Sequence, residues 1–317
     1  MFENPFSIED LMVFDDATLQ RMLSSGSFGL TPECLARSLQ DASPSLVKRM
    51  KHNMSPQQRT IFVKAHRKDR KARQCSLSDD EIMAARKQIL DSLFWELTYW
   101  KTPELYDELI EGEQLHPGIF QQLEPDIRGK IVLDAGAGSG RATFECLRHG
   151  ASKVYAVEPS PGLLRILRQK LASISNPDQI VLLRGGFDRF PLEDDCVDVS
   201  LSCSAFTSER EYGSEPGLIE LRRVTKPGGK IVIIWPRTQD HDWLAVHGFQ
   251  YVTLPSKKEM RVHFRSLESA LRCARRFYAR NENVMRYILK RRQPEPEVPF
   301  SVLGFNPPRD YCWLKVE

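Results

Sequence analysis

The sequence predicts two parts: a small all-α domain, followed by an α/β domain built on a mostly parallel sheet. From about residue 126, short apolar runs of strand character alternate with amphipathic segments of helical character. This alternation is typical of a parallel sheet with helices on both faces. The predicted strands are residues 130–134, 153–158, 180–183, 197–202 and 230–235, with helices near 141–148, 161–173 and 216–224. Later elements are a helix at 267–288, a proline-rich loop at 291–300 and a strand at 311–316.

Residues 1–93 are predicted to form the helical domain, residues 94–125 connecting helices, and residues 126–317 the α/β domain. Thr31, Ser43 and Ser55 each stand directly before a proline, which is a common way for a helix to begin. Ser78 and Glu81 have the spacing of a capping box, in which each side chain accepts a hydrogen bond from the other's backbone N–H. Short helices are unstable alone, so we expect them to pack into a bundle.

The composition of the 317-residue chain limits the classes of protein to consider. No apolar run reaches about 18 residues, so no membrane span is expected, and the first residues lack the basic region of a secretory signal. The seven cysteines are scattered without a CxxC pair, which favours reduced thiols over disulfides or a zinc site. We therefore predict a cytoplasmic protein without a bound metal.

A glycine-rich stretch after the first predicted strand, LDAGAGSGR at residues 133–141, indicates a ligand-binding turn. Glycine allows sharp turns and close approach of a ligand to the backbone, and the helix that follows offers free N–H groups. A P-loop is excluded because Gly140 is followed by Arg141 rather than by lysine and then serine or threonine. The dinucleotide motif GxGxxG is also absent, because Arg141 stands in the place of its third glycine.

The stretch closely resembles the first motif of class I S-adenosylmethionine (SAM) dependent methyltransferases, in which an acid ends the first strand before GxGxG. Further elements of that family follow in order: Glu158 at the end of the second strand, a stretch with Pro191 and Asp198, and a Lys-Pro-Gly-Gly turn at 226–229. The resemblance covers roughly residues 95–317 and is strongest at 130–235. It implies a Rossmann-like class I methyltransferase sheet, an enzyme, and SAM as the cofactor.

The resemblance also implies which residues hold the cofactor. Glu158 would accept hydrogen bonds from both ribose hydroxyls. Where the family often has an acid for the adenine amino group, this sequence has Gly186. Asp188 could serve if the loop shifts, and otherwise adenine would rest on Phe187. The full predicted set is Asp134, Gly136, Ala137, Gly138, Gly140, Glu158, Pro159, Phe187 and Asp188.

The sequence offers four candidate catalytic residues for the methyl-acceptor side. Ser204, Glu209 and Tyr212 follow the fourth predicted strand, and His241 follows the fifth. All four are therefore expected at the carboxyl edge of the sheet, where ligands bind in open α/β folds. The alternative is that each is a loop residue exposed to water. A general base is needed only if the acceptor must lose a proton early.

Two further features have more than one interpretation. Trp95, Trp100 and Tyr106 precede the first strand, and they would either cover the methionine end of the cofactor or join the bundle to the sheet. Asn306-Pro307-Pro308 is similar to a motif of amino-group methyltransferases, but it lies after the last helix rather than after the fourth strand. A loop that enters the terminal strand is the expected account of this motif.

The helical part resembles the C-terminal domain of the flagellar motor-switch protein FliG over residues 6–93. The stretches that carry the resemblance are IEDLMVFDDATLQRMLSS, LARSLQDASPSLVKRMKHNMSPQQRTIF and CSLSDDEIMAARKQILD. Gln40, Gln57 and Lys64-Ala65 stand where that family has a lysine, an arginine and paired aspartates. Because electrostatic contacts depend on the sign of each charge, we do not expect the motor role. We expect a module that binds a protein partner, or a lid over the acceptor pocket.

The leading functional hypothesis is a SAM-dependent methyltransferase that acts on a small molecule or a protein side chain. Residues 257–292 hold twelve Lys and Arg against three Glu, so an RNA methyltransferase is an alternative. A third hypothesis is a non-catalytic adaptor in a motility or signalling assembly, with a methyltransferase fold that no longer binds cofactor.

Overall fold

A computed structural model describes residues 4–73, 77–174 and 176–317 of the chain. The chain divides into two compact units, one ending at Thr102 and the other running from Pro103 to Glu317. A proline disfavours helical backbone at the residue before it, which stops the helix that leads up to residue 102. The segment 94–125, predicted as connecting helices, is thus shared between the two units. Cys75, from the third FliG-like stretch, lies outside the described residues.

The first unit is helical throughout its described residues. Its helices are α1 (Asp16–Ser25), α2 (Pro32–Ser38), α3 (Pro44–Asn53), α4 (Pro56–Ala72), α5 (Asp79–Ser92) and α6 (Phe94–Lys101), with 3₁₀ turns at Ile8–Val13 and Ser27–Gly29. The predicted helix starts are confirmed, because the side chains of Thr31, Ser43 and Ser55 accept backbone N–H bonds in the first turns of α2, α3 and α4. Ser78 and Glu81 form the predicted capping box of α5.

Large apolar side chains fill the core of the helical unit, including Phe14, Met50 and Phe62. Trp100 of α6 packs edge-on against Phe14, with ring centroids 5.3 Å apart. Trp95 packs edge-on against its neighbour Phe94, also at 5.3 Å. These two tryptophans therefore have aromatic partners inside their own unit.

The second unit contains the predicted sheet. Its strands are β1 (Ile131–Ala135), β2 (Lys153–Val157), β3 (Ile180–Leu183), β4 (Val197–Cys203), β5 (Thr225–Ile234), β6 (Gln250–Thr253), β7 (Arg261–His263), β8 (Glu297–Pro299) and β9 (Asp310–Lys315). Within the described residues, seven of them form one sheet in the order β3-β2-β1-β4-β5-β9-β6. Strands β1 to β5 pair in parallel, and β9 runs antiparallel to both β5 and β6. The predicted α/β fold with a parallel-dominated, Rossmann-like sheet is confirmed.

Helices cover both faces of this sheet. The helices of this unit are α7 (Pro103–Gly112), α8 (Gly118–Ile127), α9 (Arg141–Arg148), α10 (Pro161–Leu171), α11 (Ser214–Val224), α12 (His241–Val246), α13 (Leu267–Phe277), α14 (Glu282–Arg291) and α15 (Phe300–Leu303). Helices α13, α14 and α15 share a separate buried cluster with β7 and β8. Val132 of β1 joins a buried cluster with α8, α9 and α10, whereas its neighbour Leu133 joins a second cluster with α11 and α12. The strand order reverses between β1 and β4, and ligands bind outside the carboxyl ends of strands at such a switch point.

The predicted single helix at 267–288 is wrong, because the chain breaks between α13 and α14. The side chain of Asn281 accepts a bond from the N–H of Asn283, and its amide donates to the carbonyls of Val302 and Leu303 at 2.8 and 3.0 Å. This cap and its tertiary contacts outweigh the helical spacing of the apolar residues. The predicted loop at 291–300 instead contains β8, which pairs with β7.

Candidate functional site

The glycine-rich turn joins β1 to α9 at the switch point of the sheet. The backbone N–H groups of Gly136 and Ala137 both donate to the carbonyl of Val157, at 2.9 and 3.0 Å. The N–H of Gly140 donates to the carbonyl of Ala137 at 2.9 Å. The turn is therefore held against the end of β2, where Glu158 follows.

Two of the glycines are required by close packing, and the third leaves open space. A Cβ at Gly136, where φ is +76°, would lie 2.5 Å from Cβ of Ala205. A Cβ at Gly140, where φ is +100°, would lie 2.5 Å from Leu167. At Gly138 a Cβ would have only Tyr106 within 4 Å, at 3.8 Å. The backbone at Gly138 therefore faces a space bordered by the Tyr106 ring.

Glu158 points into the turn, as the resemblance implies for a ribose-binding acid. The residue is 5% exposed. One carboxylate oxygen accepts the N–H of Gly138 at 2.9 Å, and the other accepts the N–H of Ser160 at 2.8 Å. A carboxylate can accept about four hydrogen bonds in all, which is the property that a ribose-binding acid needs.

Asp134 is the penultimate residue of β1, beneath the turn, and is fully buried. Its Oδ2 accepts the hydroxyl of Thr143 at 2.5 Å, but its Oδ1 has no hydrogen-bond partner. Burial raises the pKa of this carboxyl to about 6, against the lowering effect of Thr143. An unpaired buried acceptor is costly, so this oxygen indicates a missing donor at the site.

Asp134 makes the stability of the fold depend on pH in a defined direction. Its folded-state pKa of about 6 lies above the ordinary value, so the folded protein takes up a proton before the unfolded chain as pH falls. Folding is therefore favoured by acidification, by about 1 kcal/mol between pH 7 and pH 5. In urea denaturation we expect the wild type to gain this much stability between pH 7 and pH 5 relative to Asp134→Asn. An equal pH response in both proteins would contradict the assignment.

Three residues that each have a buried polar atom without a partner line one small cavity under the turn. The atoms are Oδ1 of Asp134, Oγ of Ser139 and Nη1 of Arg141, and Tyr106 and Cys203 also line the cavity. Its volume is about 20 Å³, which is the space of a single water. A carboxylate, a hydroxyl and a guanidinium together are complementary to a ligand that carries both charges.

Ser139 and Arg141 line the cavity but are not among the site residues predicted from the sequence. Both occupy positions that the GxGxG pattern leaves free, and Arg141 is also the first residue of α9. The replacement of the third glycine of a dinucleotide motif by Arg141 was a signal, because a side chain there lies beside the ligand turn.

Arg141 is held by an acid and an aromatic ring. Its Nη2 lies 3.5 Å from Oε2 of Glu113, and the two side chains are 13% and 9% exposed. Its guanidinium lies over the Trp235 ring, 5.6 Å from the centroid. Oε1 of Glu113 accepts the hydroxyl of Tyr278 at 2.9 Å. Burial raises the pKa of Glu113, and the charge of Arg141 opposes that shift.

The residues predicted at the adenine end differ from one another in exposure and in contacts. A Cβ at Gly136 would lie 3.7 Å from Cζ of Phe187, so this ring borders the turn. Phe187 packs edge-on against Phe206, with centroids 5.4 Å apart. Asp188 is exposed, in a turn closed by the N–H of Arg189 and the carbonyl of Gly186 at 3.1 Å. Pro159 is half-buried, and its carbonyl accepts the Nε–H of Arg184 at 3.3 Å.

The four acceptor-side candidates are not among the residues that line the cavity. Ser204 is exposed, with φ of +58°. Glu209 is exposed and accepts from Arg237 at 2.9 Å. Tyr212 is half-buried in a 3₁₀ turn. His241 has a buried Nε2 without a partner, and its ring lies 4.8 Å from that of Tyr251.

The described residues contain no candidate for a membrane-spanning helix or for a metal-binding cluster. No helix there has both the length and the apolar character needed to cross a bilayer. No group of three or more His, Cys, Asp or Glu side chains there could hold a metal ion.

Comparison with known proteins finds similarity to methyltransferases in the part of the chain that holds the glycine-rich turn. Residues 132–229 match the family described as a methyltransferase domain. An uncharacterized methyltransferase of Geobacillus kaustophilus is 30% identical over 136 residues, which cover 41% of this chain and 60% of that protein. An uncharacterized methyltransferase-like protein of Schizosaccharomyces pombe is 30% identical over 110 residues, or 35% of this chain and 40% of that protein.

Solved structures include an S-adenosylmethionine dependent methyltransferase from Mesorhizobium loti, which aligns with a TM-score of 0.31 at 23% identity. The alignment covers 37% of this chain and 51% of that one. The chain thus spans less than two thirds of the length of each of these three proteins.

Proposed function

We propose that the chain is a SAM-dependent methyltransferase. The observation that carries the proposal is the set of unpaired buried atoms of Asp134, Ser139 and Arg141 around one cavity under the glycine turn. The methionine end of SAM is a zwitterion, and its ammonium and carboxylate are the partners that these atoms lack. The match of residues 132–229 to a methyltransferase domain supports the same function.

Each part of the cofactor has a complementary group. Glu158 would accept the ribose hydroxyls, and Phe187 would contact the adenine. Asp134 would accept from the α-ammonium, and Arg141 would bind the carboxylate. Gly138 has no side chain to fill the space between its backbone and Tyr106. The cofactor would therefore have room beside this part of the backbone.

The chain's own residues would bind and orient the reactants rather than activate them. Bound SAM supplies a methyl group that its sulfonium already activates. Correct alignment of two reactants can provide about 7–11 kcal/mol of a barrier. Because the cavity has only about 20 Å³, the Tyr106 ring must move away from the turn when the cofactor enters. Tyr106, Cys203 and Ile110 would then exclude water from the methionine end.

We propose a small molecule or a protein side chain as the methyl acceptor. RNA has weaker support, because Arg265 and Arg272, two of the C-terminal cations, are paired with Glu108 at 3.2 and 2.7 Å. Ser204, Glu209, Tyr212 and His241 remain predictions for the acceptor side. The free thiols of the described cysteines, several of them buried, support a reducing compartment such as the cytoplasm.

We propose that the helical unit, with its resemblance to the FliG C-terminal domain, binds an acidic protein partner. Lys64, Arg67, Lys68 and Lys71 of α4 are exposed, and none of the four forms an ion pair with another described residue. Asp69 of the same helix is buried beside Arg37 instead. We expect the affinity for an acidic partner to fall as salt rises and to fall in Lys64→Glu/Lys68→Glu. An affinity that does not change with salt, or that is the same in this variant, would contradict the assignment.

Calorimetric titration of the full chain with SAM tests the enzymatic proposal. We expect binding that Glu158→Gln weakens by about tenfold, because an amide offers one acceptor oxygen where the carboxylate offers two. Glu209→Gln is the matched control and should bind like the wild type. Absence of binding at high-micromolar SAM would contradict the proposal and favour the non-catalytic adaptor.

A further inference from the structure

We infer that Glu113 and Tyr278 are positioning residues that present Arg141 to the carboxylate of the cofactor. This inference rests on the proposed function and assigns a role to two side chains that lie far from the glycine motif in sequence. Glu113 follows the last residue of α7, and Tyr278 follows the last residue of α13. Tyr278 and Glu113 are separated by 165 residues along the chain.

The three side chains form a continuous buried series. The hydroxyl of Tyr278 donates to Oε1 of Glu113 at 2.9 Å, and Oε2 of Glu113 lies 3.5 Å from Nη2 of Arg141. As whole residues, Glu113 and Tyr278 are 7% and 8% exposed. Glu113 thus uses one oxygen for each neighbour and links α13 to the first residue of α9.

The guanidinium of Arg141 is fixed on two sides and free on a third. Glu113 engages Nη2, and the ring of Trp235 lies 5.6 Å from the guanidinium carbon. Nη1 is buried without a partner, and Arg141 lines the cavity that Asp134 and Ser139 also line. A planar guanidinium held in this way is suited to bind a carboxylate through its remaining donors.

The charge of Glu113 depends on both of its neighbours. A buried guanidinium needs a counter-charge, and a buried carboxylate needs hydrogen bonds to stay ionised. Burial raises the pKa of Glu113, whereas Arg141 and the Tyr278 hydroxyl lower it. Loss of the hydroxyl would therefore favour the protonated acid, which binds Arg141 less strongly.

Binding measurements with two ligands distinguish a positioning role of Glu113 and Tyr278 from a purely structural role. S-adenosylhomocysteine carries the amino acid end of the cofactor, whereas 5′-methylthioadenosine shares the adenosine and sulfur but lacks it. We expect Tyr278→Phe and Glu113→Gln to weaken S-adenosylhomocysteine about tenfold in calorimetry, as for loss of one charge-assisted hydrogen bond. The affinity for 5′-methylthioadenosine should not change. Tyr251→Phe is the control, because its hydroxyl donates to Asp310 at 2.8 Å, outside the residues that line the cavity.

The possible results separate a failure of this inference from a failure of the proposed function. Selective loss of S-adenosylhomocysteine binding in Tyr278→Phe supports the inference, even if Glu113→Gln does not fold. Equal loss of both ligands, or no loss of either, would overturn it while the proposed function stands. Failure of the wild type to bind either ligand would overturn the proposed function itself.

Discussion

Replacement of Gly136 by alanine is expected to lower the free energy of unfolding by about 3 kcal/mol. A left-handed φ of +76° costs a non-glycine residue about 1–2 kcal/mol. The added Cβ would also lie 2.5 Å from Cβ of Ala205, which has no rotamer to relieve the contact. Overpacking of this kind costs about 1–3 kcal/mol more. Urea unfolding of the full chain measures the total.

Gly228 provides a matched control for this prediction. Its φ of +80° is nearly the same as that of Gly136, but a Cβ there would have nothing within 4 Å. We therefore expect Gly228→Ala to lose only about 1 kcal/mol, from backbone strain alone. If the two variants were equally stable, the tight contact between the turn and Ala205 would not exist as described.

Replacement of Arg141 by methionine is expected to have the largest effect on both stability and ligand binding. Methionine fills a similar volume but leaves Glu113 buried without its cation. Removing one member of a buried ion pair costs about 3–5 kcal/mol. In urea unfolding at pH 7 we expect the free energy of unfolding to fall by an amount near the lower end of this range. We also expect the variant to lose S-adenosylhomocysteine binding.

The pH dependence of this variant has a defined sign. The pKa of Glu113 is already raised by burial, and removal of Arg141 raises it further. The folded variant then takes up a proton that the unfolded chain does not. The stability that the variant lacks relative to the wild type should therefore decrease as pH falls toward 5. The double variant Arg141→Met/Glu113→Gln should recover part of the loss.

Arg148 of the same helix is the control for Arg141. Its side chain is 67% exposed and pairs with Glu145 on the same helix, so Arg148→Met should change stability by less than about 0.5 kcal/mol. A loss in Arg141→Met that is as small as this, or that does not vary with pH, would contradict the buried pairing with Glu113.

Sequence patterns predicted the elements whose signals are local. The caps at Ser43 and Ser55 act within one helical turn, and β1 and the second half of β5 contain apolar runs long enough to recognise. Asp134, the glycines and Glu158 follow one another at family spacing along a single strand-turn-helix-strand unit. In these cases the residues that determine the structure are neighbours in the chain.

The features that were missed depend on contacts between distant residues. Strand β7 has three residues and forms only because β8 pairs with it from across α13 and α14. The break before α14 depends on bonds from Asn281 to carbonyls at 302 and 303. The role proposed for Arg141 depends on its contacts with Glu113 and Tyr278, and no spacing in the sequence connects the three.

The most direct test of the account is a structure of the full chain with S-adenosylhomocysteine bound. We predict the ribose hydroxyls on Glu158 and the amino acid end between Asp134 and Arg141, with the Tyr106 ring displaced from Gly138. A ligand bound elsewhere, or one whose carboxylate faces away from Nη1 of Arg141, would contradict it.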